Sequence, residues 1–199
     1  MKKPQTILEI SKQTESEIDW NQAALVLIDI QNEYTTGNLT LGDGAQAAIA
    51  NVNKLLTHAR EVNAPIFHVV HHGNKSGQLF NPHRNGSEIV SEIEVRQQEA
   101  IVIKSLPNAF TNTNLQELIE LSDRRVLVIV GFMSHMCVSS TTRGALDLGF
   151  TNYVCDDACY TRDLRSSSGE TIPSEIVHLV SMAALKDRFA TVCSTSKII

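Results

Sequence analysis

Four short, nearly continuous apolar runs set the strongest limit on what this chain can fold into. They are AALVLIDI at 23–30, PIFHVV at 65–70, AIVI at 100–103 and RVLVIV at 125–130. Each is rich in β-branched residues and does not alternate with polar ones, as expected of strands covered on both faces. Weaker strand candidates lie at 152–155 and 189–193. Helical spacing appears between them. Ile49, Val52, Leu55, Leu56 and Ala59 mark a helix over 45–62, and Leu115, Leu118, Ile119 and Leu121 mark another, with Asn112 or Thr113 as its cap. A third runs over 137–148 and stops at Gly149; a fourth runs over 174–186 behind Pro173. Strand alternating with helix predicts a parallel sheet with helices on both faces and right-handed crossovers.

A chain of 199 residues is read as a single domain over 1–199, with 1–20 as an N-terminal extension. Two polar stretches interrupt the alternation. Residues 71–98 contain Gly73, Gly77, Pro82 and Gly86, with a short helix expected near 87–91; residues 156–173 carry Arg162, Asp163 and Arg165. Both are read as loops over the strand ends, where long loops tend to be functional.

Composition narrows the function classes. The net charge of −5 argues against nucleic acid, which needs basic residues to neutralise phosphates. The two N-terminal lysines are followed by no apolar core of a signal peptide, and no run approaches the ~18 apolar residues of a membrane span. The expected compartment is the cytoplasm, with Cys137, Cys155, Cys159 and Cys193 reduced. Cys155 and Cys159 are read as structural.

Three reactive side chains follow three of the strong runs: Asp29, Lys104 and, a few residues beyond Gly131, Cys137. Alone, Asp29 reads as a turn or cap, Lys104 as a solvated strand-end lysine and Cys137 as a small core residue. In a parallel sheet, however, all the carboxyl ends point the same way, and ligands bind outside them. The chemistry fits the trio: Asp29 takes the thiol proton and returns it to a leaving amine, and Cys137 attacks an acyl carbon. Ser134 is expected to cap the helix that carries Cys137. The helix dipole and Lys104 are then expected to lower the thiol pKa.

These segments resemble the isochorismatase-like cysteine hydrolases. The likeness rests on ALVLIDIQNEY, AIVIKSLPNAF and GFMSHMCVSSTTRGALDLGF followed by DACYTRD, and it runs from about Ala23 to Val192. It implies an α/β fold, a three-layer α/β/α sandwich with a six-stranded, mostly parallel, Rossmann-like sheet. It implies an Asp29–Lys104–Cys137 catalytic triad, hydrolysis of C–N bonds in small amides, imides or carbamoyl compounds, and a dimer or tetramer. It also places a cis peptide at Phe132–Met133 and an oxyanion hole at the backbone N–H groups of Met133 and Cys137. No cofactor is called for. The metal-binding Asp-x-His pattern of the nicotinamidase branch is not found, and His68, His71, His72 and His83 are read as pocket or surface histidines rather than metal ligands. Gln31, Tyr34, Phe110 and His135 are candidate substrate contacts, and Arg84, Arg162 and Arg165 are candidates to grip a carboxylate. The alternatives are vinyl-ether hydrolysis with Asp29 as acid and a non-catalytic small-molecule-binding protein.

Overall fold

The computed structural model describes residues 3–12 and 17–199. The extension expected over 1–20 lies partly outside the described residues. Within it, α1 (Ile7–Ile10) is closed by a capping box between Thr6 and Glu9, and Ile7 N–H donates to Asp187 at 3.0 Å.

In chain order there follow β1 (Ala23–Ile28), α2 (Asp43–Glu61), β2 (Ile66–His71), β3 (Ala100–Lys104), α3 (Leu115–Leu121), β4 (Val126–Phe132), α4 (Ser139–Asp147), β5 (Thr151–Tyr160), β6 (Leu164–Arg165), β7 (Thr171–Ile172), α5 (Ser174–Arg188) and β8 (Thr191–Cys193). Six strands form one sheet in the order β3-β2-β1-β4-β5-β8, every neighbouring pair parallel. The short β6 and β7 pair separately as an antiparallel ribbon. α2 packs on β1, β4 and β5, while α4 and α5 touch each other across the sheet. Right-handed crossovers require this, because the chain moves one way from β1 and the other way from β4. β1 and β4 are therefore adjacent strands from which the connections diverge, and the crevice beyond their carboxyl ends is the natural ligand site.

The central strands are as dry as their sequences predict. Every residue of β1 is buried, and so is β4 from Leu127 to Phe132. β3 departs from the expectation. Val102 and Lys104 are buried, but Ile101 and Ile103 are 54% and 55% exposed. β3 is the edge of the sheet, and the face that carries Ile101 and Ile103 borders an open groove beside α3. An apolar run reveals the strand, but not whether both faces are covered.

The two polar stretches also differ from simple loops. In the first, a 3₁₀ turn occupies Asn85–Ser87 rather than 87–91, and Ile89 bridges to Gln31. The buried Glu33 carboxylate gathers this stretch by accepting from Asn38 N–H at 2.6 Å and Phe80 N–H at 3.3 Å. In the second, β5 runs on through Tyr160, past a register shift opposite Ile129 and Gly131, so Cys159 lies inside a strand. At the far end of the sheet, Glu99 holds α2 and β2 together. It accepts from Arg60 Nε at 2.7 Å and stands 2.7 Å from His68 Nε2.

Candidate active site

The crevice is built by the backbone first. Directly after β1, Asp29 takes a left-handed conformation with φ of 52°, and its N–H remains bonded to Val69 O at 2.8 Å. Asp and Asn tolerate this region better than most residues. The turn ends the strand abruptly at the sheet's rim. Beside it, β4 passes Gly131 at φ of 119°, where a Cβ would lie 2.1 Å from Ile28 O. Only glycine lets β4 approach β1 so closely. The Phe132–Met133 peptide is cis, and the chain then enters a π-helical turn at Ser134–Val138, with Val138 N–H bonded to Met133 O at 3.3 Å. Single π turns often sit at functional sites. Here the turn holds Cys137 over the end of β1.

Ser134 does not cap this helix. The cap position belongs to Met133, and Ser134 Oγ instead meets His178 Nδ1 of α5 at 3.2 Å. The wider π turn moves the helix start one residue back from where α-helical spacing puts it. Likewise, Asn114 rather than Asn112 or Thr113 precedes α3, with Thr113 Oγ1 accepting from Leu115 N–H.

Lys104 comes from two strands away. It ends β3 in register with His71 of β2, and its stem crosses β2 to reach the crevice. Its ammonium is 2.8 Å from Asp29 Oδ2, 3.3 Å from Cys137 Sγ and 3.1 Å from His71 Nδ1. Asp29 and Lys104 are almost fully buried, and Cys137 is 4% exposed. The Asp29–Lys104 contact is close but off the line of a well-directed hydrogen bond. The Asp29 carboxylate thus faces both the Lys104 ammonium and the Cys137 thiol.

Burial governs the protonation of the site. It pushes the Asp29 carboxyl upward, with the Lys104 charge opposing. Burial also pushes the Cys137 thiol up to about 12, helped by the Asp29 charge and opposed by Lys104. The lowered thiol pKa expected from the helix start and Lys104 is therefore not found. One ammonium shared with a carboxylate does not offset the desolvation of a buried thiolate. Burial thus favours the thiol over the thiolate.

Above the trio is a cavity of about 330 Å³, the size of a small-molecule site. Its walls are mainly apolar: Tyr34, Leu39, Leu79, Phe80, Pro107, Met133 and Met136. Cys137, His71 and Arg162 supply the reactive and polar groups. Of the candidate substrate contacts, Tyr34 lines the cavity, held edge-to-face against Phe80 and Phe132. Gln31, Phe110 and His135 do not. Gln31 is fully buried and spends its amide on the backbone: Nε2 donates to His71 O at 3.0 Å and Ser87 O at 2.7 Å, and Oε1 accepts from His71 N–H at 2.8 Å. Phe110 stacks on Phe150, and His135 pairs with Thr161 at the side of the π turn. Of the three arginines, only Arg162 reaches the cavity. Its Nε is buried without a partner among the described residues, and Nη1 donates to Asp163 O. Arg84 is engaged with Gln78 and Arg165 sits on β6. His68 is not at the site, being buried against Glu99.

Sequence reasoning missed His71 as a companion of Lys104. The signal was a β2 histidine level with the β3 lysine, but the register that aligns them is not written in either strand. It also missed the Leu79–Phe80 wall, because 71–98 shows no periodicity.

The Isochorismatase domain family model matches residues 23–197. The chain belongs to the isochorismatase family. The YddQ protein of Bacillus subtilis, itself an uncharacterised isochorismatase family member, is 39% identical over 175 residues, covering 86% of this chain and 96% of YddQ. The secreted isochorismatase effector Isc1 of Verticillium dahliae is 36% identical, covering 88% and 90%. A solved isochorismatase structure from Pseudomonas putida superposes with a TM-score of 0.92 at 36% identity, over 98% of this chain and all of that one. More distant members of this hydrolase family include streptothricin hydrolase of Streptomyces noursei, 28% identical over 82% of this chain and 59% of that protein. Another is the ureidoacrylate amidohydrolase RutB of Acinetobacter baylyi, 25% identical over 89% and 82%.

Proposed function

We propose that this isochorismatase-family hydrolase cleaves a C–N bond of a small amide, imide or carbamoyl compound, through a thioester on Cys137. The observation that carries the reading is the Lys104 ammonium set between Asp29 and Cys137, with Cys137 itself lining an apolar cavity. The name of one distant relative, the ureidoacrylate amidohydrolase RutB, supports the same bond type.

The resting thiol determines how the first step runs. Asp29 removes the sulfur's proton as the sulfur attacks the carbonyl carbon, so a free thiolate need not accumulate. The C–S bond forms and the carbonyl π electrons move to oxygen. The N–H groups of Met133 and Cys137 are the proposed donors to that oxyanion. The oxyanion collapses, the C–N bond breaks, and the proton held on Asp29 leaves with the amine. Water then adds to the thioester, giving its proton to Asp29. The C–S bond breaks, the acid departs and the thiol regains its proton. Throughout, the Lys104 side chain stands beside whichever partner is negative. Arg162, whose Nε has no partner among the described residues, stands at the cavity wall and favours a substrate carrying an anionic group.

A second reading has one observation in its favour. The raised Asp29 pKa also suits a general acid, as vinyl-ether hydrolysis requires. Intact-mass spectrometry during turnover of a mixed amide and imide library separates the two. An acyl adduct on Cys137, absent in Cys137→Ala together with turnover, supports the thioester route. Full activity of Cys137→Ala overturns it, and retention of isochorismate cleavage by that variant selects the ether route.

A further inference from the structure

An ammonium has three N–H bonds and no lone pair. Around Lys104 Nζ stand three groups: Asp29 Oδ2, Cys137 Sγ and His71 Nδ1, the last at 3.1 Å. Nδ1 can face an ammonium only with its lone pair. A neutral imidazole with a bare Nδ1 carries its hydrogen on Nε2. The ring lines the cavity together with Cys137, and Nε2 bonds to no protein group among the described residues. The ring is also held in place. Gln31 clamps the His71 backbone through both N–H and C=O, and Phe80 packs edge-to-face on the imidazole at 5.1 Å.

We propose that His71 is a substrate-contacting residue of this site, locked by Lys104 as the Nε2–H tautomer, and that it offers this hydrogen to the substrate. The proposal rests on the thioester reading and sharpens its substrate class. The substrate carries a hydrogen-bond acceptor, such as a second carbonyl or a carboxylate, close to the carbonyl that Cys137 attacks. Amides flanked by an amine or another donor-only group are rejected, because they would set donor against donor in a mostly apolar cavity. The lock also explains why Gln31 is spent on the His71 backbone, since a shift of the ring would release one of the three partners of Lys104. Burial and the neighbouring Lys104 charge hold the His71 pKa down to about 4, so the neutral ring persists at physiological pH.

Two measurements on the full chain test this. The first is long-range ¹⁵N–¹H correlation spectroscopy of ¹⁵N-histidine protein, with His71→Asn used to assign the signal. The proposal expects a protonated Nε2 and a bare Nδ1 at neutral pH; an Nδ1–H tautomer or an imidazolium overturns it. The second compares the rates at which iodoacetamide, which has a carbonyl acceptor, and iodoethane, which has none, alkylate Cys137, each site mapped by peptide mass spectrometry. Loss of the Nε2–H bond lowers the iodoacetamide-to-iodoethane ratio about tenfold in both His71→Asn and His71→Leu. Asparagine still offers Lys104 an oxygen, so its iodoethane rate stays near wild type while that of His71→Leu falls. An unchanged ratio in both variants overturns the substrate-facing role, and equal iodoethane rates overturn the role toward Lys104. If Cys137 resists both reagents while the tautomer is as expected, the nucleophile reading fails and the lock stands.

Discussion

At the scale of single residues, the site is a contest between burial and pairing. Asp29 and Cys137 are both driven toward their neutral forms by desolvation, and the Lys104 charge resists only in part. Two outcomes follow if Asp29 is the base. A base works ionised, so kcat/KM falls as pH drops through its pKa. The acid limb of the profile is expected above the ordinary carboxylate value of 3.8, because burial raises Asp29. Asp29→Asn is expected to lower kcat by at least about 100-fold, the scale of a lost general base. The thiol follows the same charge logic. In a difference titration of wild type against Cys137→Ala, thiolate absorbance is expected to appear only well above the ordinary thiol value of 9.0. A midpoint near neutrality would show that Lys104 wins after all.

At the scale of elements, the crevice depends on close approach at β1 and β4 and on the edge position of β3. A Cβ at Gly131 meets the Ile28 carbonyl at 2.1 Å, and φ there is 119°. Gly131→Ala is expected to cost about 3 kcal/mol or more in chemical denaturation, since strain and collision act together. Its activity should fall further than its stability, because Met133 and Cys137 follow on the same segment. β3 and β1 supply a contrast. Ile103→Thr, on the exposed face, is expected to change stability by less than about 0.5 kcal/mol. Leu25→Ala, in the dry centre of β1, is expected to cost about 2–5 kcal/mol.

Across the whole molecule, the two ends of the sheet are specialised. The carboxyl end holds the Asp29–Lys104–Cys137 cluster, while the Arg60–Glu99–His68 cluster ties α2, β2 and the approach to β3 away from it. Burial pushes the Glu99 carboxyl up, but Arg60, His68 and the Arg96 N–H bring it net below the ordinary 4.5. A depressed carboxylate stabilises the fold above its unfolded pKa, and that share is lost as pH falls from about 4.5 through the folded value. Glu99→Ala should therefore be destabilised by about 3 kcal/mol at neutral pH, with the gap to wild type closing in acid melts. Among the described residues no helix is long and apolar enough to cross a membrane. The likeness of Asp29, Lys104 and Cys137 to reactive groups at strand ends was legible in the sequence, because each follows a β-branched run and parallel strands share one direction. All six strands of the main sheet and the four longer helices were legible for the same reason: local periodicity encodes burial. Register, edge position and loop walls were not. His71 meets Lys104 only because β2 and β3 align at those two residues, Ile101 and Ile103 are exposed only because their face of β3 is left uncovered beside α3, and burial favours the Cys137 thiol only because tertiary packing removes water from it. Each of these is a relation between distant segments, and no single segment carries a record of what will be packed against it.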